Sequence, residues 1–150
     1  MLGIETARWP RVRPRVGRRG EDLGLVAERA EGGIPADSPV VVIAHGFAGS
    51  QPLMQPVAVT LARNGYMAVT FDFAGHGRSR APFVASLMDQ GARRRVLLAG
   101  LERAVAFGRA LPGADGRLAL VGHSMAGDAL AAYAQTHPGS VSALVLLSPY

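Results

Sequence analysis

The chain has 150 residues, 49% of them hydrophobic, and it has no cysteine. This length and apolar content suit one domain with a core of moderate size, and the lack of cysteine excludes disulfides, thiolate zinc sites and a cysteine nucleophile. The net charge of +5 comes from arginine alone, since the sequence has no lysine. A P-loop is therefore excluded, because its lysine on the phosphates is missing.

Residues 1–35 form a segment rich in arginine, proline and glycine, and we see no periodic pattern before residue 23. Such a basic segment could bind phosphates or an anionic membrane surface. We favour a solvated terminal segment with one short strand within Leu23–Ala30, because chain termini are often poorly ordered. No apolar run has the length of a membrane span or a signal peptide. We expect a cytoplasmic protein with no nucleic-acid partner.

From Val40 onward the pattern changes. Val40–Ala44 is a continuous apolar run, mostly β-branched, which is typical of a parallel strand buried on both faces. A helix is predicted from a cap at Ser50 to a stop at Asn64. The further predicted elements are a strand at Met67–Phe71, a helix between Ser86 and Leu111, a strand at Leu118–Val121, a helix at Met125–Thr136 and a strand at Ala143–Leu147. This alternation predicts an α/β fold over residues 36–150, with a doubly wound, mostly parallel sheet flanked by helices.

The most informative motif lies between the last predicted helix and the strand before it. Ser124 is preceded by Gly122 and followed by Ala126 and Gly127. Small residues around a serine at a sharp strand-to-helix turn allow the two elements to cross closely while the hydroxyl is held outward. Ala126 stands where glycine is commonest, so the match is to small-x-Ser-x-small. The pattern predicts a nucleophile elbow.

Three segments together resemble the α/β-hydrolase fold superfamily of serine esterases and serine aminopeptidases. His45-Gly46-Phe47 resembles its oxyanion loop, residues 72–79 resemble its D-x-x-G-H-G-x-S loop, and residues 122–127 resemble its elbow. The resemblance covers about residues 40–150 and implies the N-terminal portion of such a domain.

The resemblance also implies roles for individual residues. Ser124 would attack a carboxylic ester, thioester or small amide and form an acyl-enzyme, without metal or organic cofactor. The N–H groups of Phe47 and Met125 would form the oxyanion hole. His45, Gly46 and His123 would line the site. The partner would be a small-molecule acyl substrate.

In this family the catalytic acid and histidine follow the serine in the chain. Here only Asp128 and His137 follow it, on or at the end of the elbow helix. We expect that the C-terminal part is lacking and that the 150-residue chain is inactive or weak. His45, His76 and His123 are less favoured as substitute bases, because no orienting third group is evident. Asp72 is interpreted as a carboxylate that braces its loop.

Rival interpretations fit less well. Gly75–Arg80 departs from the dinucleotide fingerprint and follows a later strand than the fingerprint requires. The four histidines lack the spacing of metal ligands. A non-catalytic binding or assembly protein with this fold stays open, although the intact elbow argues for an enzyme. The apolar strand at residues 143–147 would form a sheet edge at which self-association is expected, and size-exclusion chromatography would detect it.

Overall fold

The computed structural model describes residues 12–16, 26–30, 37–86 and 88–148, and for the first two ranges it describes only the backbone. Six strands form one sheet in the order β1-β2-β4-β3-β5-β6. The strands are β1 (Val12–Val16), β2 (Val26–Ala30), β3 (Ser38–Ala44), β4 (Met67–Phe71), β5 (Ala114–His123) and β6 (Ala143–Leu147). The helices are a short 3₁₀ turn (Gln51–Met54), α1 (Gln55–Arg63), α2 (Gln90–Arg109) and α3 (Ala126–Thr136).

The central strand β3 runs parallel to both of its neighbours. Val42 of β3 is in register with Val69 of β4 on one side and with Leu120 of β5 on the other. β6 continues the parallel part beside β5, whereas β1 and β2 are antiparallel additions at the other edge. The predicted α/β fold with a mostly parallel sheet is confirmed.

Side chains of β3 enter two cores because successive residues of a strand point to opposite faces. Val40 and Val42 pack in one core with buried residues of α2 and α3. Val41 and Ile43 pack in a second core with buried residues of the 3₁₀ turn and α1. Helices on both faces explain why the run at Val40–Ala44 is apolar throughout rather than alternating.

The bounds of several elements differ from the prediction; β5, for example, begins at Ala114 rather than at Leu118. Two further differences have a clear physical reason. The helix predicted from Ser50 begins as the separate 3₁₀ turn, and α1 starts only at Gln55. Pro56 has no N–H and cannot donate an α-helical hydrogen bond to the carbonyl four residues earlier. The 3₁₀ turn and α1 therefore remain separate elements. The second difference is β1, which lies in a segment where we predicted no strand.

The β1 sequence explains its pairing in retrospect. Val12, Pro14 and Val16 alternate with two arginines, which is the two-residue period of a strand. Pro14 lies opposite Glu28 of β2, on the strand at the edge of the sheet, where a residue without an N–H is tolerated. Part of the terminal segment that we expected to be solvated is therefore a strand. Residues 1–11 and 17–25 of this segment lie outside the described residues.

The carboxyl ends of the parallel strands meet at one edge of the sheet, as in other doubly wound folds. His45 follows β3, Asp72 follows β4, and Ser124 follows β5. The sheet topology therefore collects the three loops that carry the sequence motifs. At the outer edge, Leu144, Val145 and Leu147 of β6 remain 38–45% exposed. Self-association through this edge stays a prediction.

Candidate active site

Ser124 occupies the turn between β5 and α3 in a left-handed backbone conformation, with φ of 51°. This conformation is uncommon for a residue other than glycine and costs about 1–3 kcal/mol. Two hydrogen bonds hold it: the Ser124 N–H donates to the carbonyl of Leu147 in β6 (2.9 Å), and the Ser124 carbonyl accepts from Gly127 (2.8 Å). The surrounding structure thus fixes a strained turn that presents a half-buried serine to the surface.

The small residues around Ser124 have a steric reason. A Cβ atom added to Gly122 would lie 2.5 Å from a methyl carbon of Leu130, so any other residue at this position would require the Leu130 side chain or α3 to shift. The same Cβ would lie 3.4 Å from the Cβ of Ala126, which is an ordinary contact. The alanine that departs from the commonest motif therefore fits, and it is fully buried.

The loop after β3 is ordered by the buried ring of His45. Its Nδ1 donates to the carbonyl of Gly46 (2.7 Å), while its Nε2 accepts from the N–H of Phe73 (3.1 Å). These two bonds require a neutral ring with the proton on Nδ1. Because the Gly46–Phe47 peptide is trans, the Phe47 N–H points away from the side on which His45 holds the carbonyl.

Gly46 brings this loop against the elbow. A Cβ atom at Gly46 would lie 2.8 Å from Nδ1 of His123 and 3.1 Å from Cβ of Ser124. A side chain at this position would force the His123 ring to move and would crowd Ser124, so glycine suits a backbone that passes this close. The structure therefore places four of the predicted residues in direct proximity, namely Gly46, Phe47, His123 and Ser124.

Two backbone N–H groups near Ser124 have no backbone acceptor among the described residues. Within the part of the chain that the structure describes, the N–H groups of Phe47 and Met125 donate to no backbone carbonyl. Both residues line, together with Ser124, a cavity of about 480 Å³. Met125 precedes the first turn of α3, where helical N–H groups point outward and the helix dipole favours negative charge. The cavity thus adjoins two backbone N–H groups and the positive end of the α3 dipole.

His76 holds the other side of Phe47. Its Nδ1 lies 2.9 Å from the carbonyl oxygen of Ala74, and its Nε2 lies 2.9 Å from the carbonyl oxygen of Phe47. A neutral ring donates to one of these oxygens and the imidazolium donates to both. Sequence reasoning treated His76 only as a weak candidate base and missed this contact, which links two loops 29 residues apart.

Asp72 is fully buried and braces the neighbouring loops. Its carboxylate accepts from the N–H of Gln51 (2.6 Å) and from the N–H of Arg78 (2.9 Å), and it lies 3.9 Å from Nε2 of His45. Gly77 lies against the same carboxylate, so that a Cβ there would collide with it. These contacts agree with the interpretation of Asp72 as a bracing carboxylate.

Burial lowers the pKa of His45; the hydrogen bond to Gly46 opposes this in part, and the nearby His76 lowers the pKa further against a smaller opposing effect of Asp72. The unfolded chain therefore binds a proton at this position more readily than the folded protein. Neutral His45 should therefore make its full contribution to the free energy of unfolding above pH ~6.5, the ordinary histidine pKa. This contribution should fall as the pH drops toward the lower pKa of the folded state. Urea unfolding between pH 7.5 and 5.5 measures this slope.

The His45→Gln variant supplies the comparison. It should be less stable than the unaltered protein at pH 7.5, and its stability should fall less steeply toward pH 5.5. Parallel stability profiles for the two proteins would show that His45 does not titrate as the structure requires.

Of the two candidates for an acid and a base after Ser124, Asp128 lines the same cavity but is paired, and His137 lies at the far end of α3. Both carboxylate oxygens of Asp128 accept from the guanidinium of Arg94 (2.7 and 2.8 Å). His137 follows the last turn of α3, where its ring stacks on Tyr133 at a centroid distance of 4.1 Å. Because α3 rises about 1.5 Å per residue, its eleven residues separate His137 from Ser124 by the length of the helix.

Sequence reasoning missed one set of lining residues. Gln90, Arg93, Arg94 and Leu97 of α2 line the same cavity as Ser124. Their spacing of three, four and seven residues marks one face of a helix, and this spacing was the available signal. Among the described residues, histidine and carboxylate side chains form no group of three that could hold a metal ion, and no helix there is long and apolar enough to cross a membrane.

A sequence profile of the family described as alpha/beta hydrolase fold matches residues 39–150. This chain belongs to the alpha/beta hydrolase fold family. The match contains the loop after β3, the Asp72 loop and the turn at Ser124 of this α/β-hydrolase chain, so the family resemblance seen in the sequence is confirmed.

Named relatives of this α/β-hydrolase chain include enzymes. A monoacylglycerol lipase of Mycolicibacterium smegmatis is 33% identical over 116 residues, covering 73% of this chain and 37% of the lipase. A thioesterase domain from the curacin biosynthetic pathway is 28% identical, with a TM-score of 0.66, covering 93% of this chain and 47% of that domain. A hypothetical protein of Pseudomonas aeruginosa, 24% identical with a TM-score of 0.68, covers 93% and 42% and shares the fold. The chain spans less than half the length of these relatives.

Proposed function

We propose that Ser124 is the nucleophile of a hydrolase that cleaves a carboxylic ester, thioester or small amide through an acyl-enzyme. The observation that carries the proposal is the left-handed Ser124 between β5 and α3, in one cavity with the backbone N–H groups of Phe47 and Met125. The relatives named lipase and thioesterase support an ester or thioester substrate.

The geometry supports a two-step reaction. The Ser124 oxygen attacks the substrate carbonyl carbon, and its proton passes to a base and then to the departing alcohol, thiol or amine. The N–H groups of Phe47 and Met125 stabilise the negative charge that develops on the carbonyl oxygen. Each such donor typically contributes a factor of about 10²–10³ in rate. Water then attacks the acyl-enzyme, releases the acid and restores the serine.

Among the described residues, no side chain is placed to accept the Ser124 proton with an orienting partner of its own. Both ring nitrogens of His45 and of His76 contact backbone groups, Asp128 is paired with Arg94, and His137 lies at the far end of α3. His123 is exposed beside Ser124 but has no orienting carboxylate bond among the described residues. We therefore propose that the 150-residue chain alone reacts slowly.

Labelling with a fluorophosphonate probe tests the nucleophile. The protein should show little labelling by itself, and added imidazole should increase the labelling of Ser124, because a second cavity of about 540 Å³ beside Ser124 and His123 has room for an external base. Ser124→Ala should abolish the signal. Ser142→Ala is the matched control, because it removes an exposed serine hydroxyl and should leave labelling unchanged.

The outcomes separate the two parts of the proposal. Equal labelling of Ser124 with and without imidazole would overturn the expected slowness. No labelling under either condition, in a protein whose circular dichroism shows it folded, would overturn the nucleophile. That result would favour the alternative of a non-catalytic binding or assembly protein.

A further inference from the structure

Two histidine rings contact successive carbonyl groups of the loop that carries Phe47. Nδ1 of His45 donates to the carbonyl oxygen of Gly46 (2.7 Å), and Nε2 of His76 lies 2.9 Å from the carbonyl oxygen of Phe47 itself. These carbonyls belong to the two peptide groups that flank the Cα atom of Phe47. Because a residue has only two soft backbone torsions, holding both peptide groups also sets the direction of the Phe47 N–H.

The Phe47 carbonyl lies in the middle of a turn. The Gly49 N–H donates to the carbonyl of Gly46 (3.0 Å), so Phe47 and Ala48 are the central residues of a β-turn. Turn types I and II share this closing hydrogen bond and differ in the orientation of the central peptide. The closing bond therefore leaves the orientation of the Phe47–Ala48 peptide open, and the contact with His76 selects one orientation.

Reversal of this peptide would change the surroundings of Ser124. Phe47 and Ala48 line the cavity of about 540 Å³ that also contains Ser124. The peptide is trans, so the Phe47 carbonyl and the Ala48 N–H point in opposite directions. A reversed peptide would exchange these two groups, and a partly negative oxygen would point where an N–H points now. The field that this loop exerts beside the serine would change sign.

His76 is itself held in place on several sides. Its Nδ1 lies 2.9 Å from the carbonyl oxygen of Ala74. Its ring lies between those of His45, Phe47 and Phe83, at centroid distances of 5.1, 5.8 and 6.3 Å. The Phe47 side of the contact is exposed to water, which can replace a lost bond there. We therefore expect the contact to affect the conformation of the turn more than the stability of the protein.

We propose that His76 is a positioning residue of the hydrolase, which donates from Nε2 to the Phe47 carbonyl and thereby keeps the Phe47 N–H directed at the reacting carbonyl oxygen. This bond needs a proton on Nε2, in the neutral ring or in the imidazolium. His76 acts through Phe47 and touches no reacting atom. The inference deepens the proposed function and rests on it for the chemistry.

Two replacements of His76 separate the hydrogen bond from the packing. His76→Phe keeps an aromatic ring but has no donor, whereas His76→Gln keeps an N–H donor that extends about as far as Nε2. We expect imidazole-dependent labelling of Ser124 by the fluorophosphonate to slow about tenfold in His76→Phe and less than about threefold in His76→Gln, as the loss of one hydrogen bond implies. A role in packing alone predicts the reverse order.

NMR of the unreacted protein gives a readout that does not depend on the reactivity of Ser124. The amide signals of Phe47 and Ala48 should show no exchange on the μs–ms timescale in the unaltered protein, and relaxation dispersion should detect exchange in His76→Phe. Adding Ala48→Gly to His76→Phe should enlarge this exchange. The reason is that a type II turn needs a positive φ at position 48, which glycine adopts readily.

His137→Phe is the matched control. Its ring also contacts a backbone carbonyl, that of Tyr133 (Nδ1 to oxygen, 3.0 Å), but at the far end of α3. The variant should leave both the labelling rate and the turn signals unchanged. Urea unfolding should show nearly the same midpoint for His76→Phe as for the unaltered protein, which separates positioning from a general loss of stability.

Unchanged Phe47 and Ala48 signals in His76→Phe would overturn the proposal, whether or not Ser124 reacts. Equal labelling of the two His76 variants, or slower labelling of His76→Gln, would overturn it as well. The proposed hydrolase fails separately, if Ser124 of the unaltered protein is not labelled in the presence of imidazole. In that case the NMR measurement still decides whether His76 holds the turn.

Discussion

Replacing Asp72 with alanine should lower the free energy of unfolding by about 2–4 kcal/mol, because the buried N–H of Gln51 loses its acceptor, which costs about 1–3 kcal/mol, and the part-buried bond from Arg78 contributes about 1 kcal/mol more. The N–H of Gln51 bonds the carboxylate at 2.6 Å, and the N–H of Arg78 bonds it at 2.9 Å. Urea denaturation with linear extrapolation measures the change.

Asp72→Asn is the matched comparison for this prediction. It keeps the shape of the side chain and one acceptor oxygen, but its amide group faces one of the two donors. We expect the free energy of unfolding of Asp72→Asn to lie between that of the unaltered protein and that of Asp72→Ala. A loss below about 1 kcal/mol for the alanine variant would contradict the view that this carboxylate holds the two loops together.

The second large effect is expected at the elbow. Gly122→Ala should destabilise the protein by about 1–3 kcal/mol, the usual cost of overpacking a core. The added methyl would lie 2.5 Å from a methyl carbon of Leu130, so the Leu130 side chain, α3 or both must shift. Because Ser124 connects these two elements, imidazole-dependent labelling of Ser124 should fall as well.

A double-mutant cycle tests the cause of this loss. Leu130→Ala removes the atom that collides, so the cost of Gly122→Ala should be at least about 1 kcal/mol smaller in that background. Gly91→Ala in α2 is the control, since its nearest neighbours would be 3.5 Å away and alanine favours a helix, and it should be neutral or stabilising. Equal costs of Gly122→Ala in both backgrounds would show that Leu130 is not the obstacle.

The parallel part of the sheet could be predicted because its signals are local. Val40–Ala44 and Met67–Phe71 are short apolar runs bounded by turn residues, and the elbow motif fixed the crossing of β5 and α3. β1 was missed because arginine and proline dominate its composition and conceal a two-residue alternation. That strand also depends on pairing with β2, which only the folded chain provides.

The candidate site could be predicted only where a motif carried it. Ser124 and its small neighbours follow from the turn, and His45 follows from the strand end. The contact of His76 with Phe47 and the pairing of Arg94 with Asp128 join residues 29 and 34 positions apart. No periodicity encodes such contacts, because they depend on how separate loops and helices meet in space.

The hydrogen bond from Ser124 to the Leu147 carbonyl connects the proposed nucleophile to an edge strand of the described sheet. Displacement of β6 would release the serine backbone toward a relaxed conformation, and firm docking of β6 would keep the hydroxyl poised. A segment, from this or another chain, that paired with the free edge of β6 would therefore influence the backbone of Ser124 through the Leu147 carbonyl.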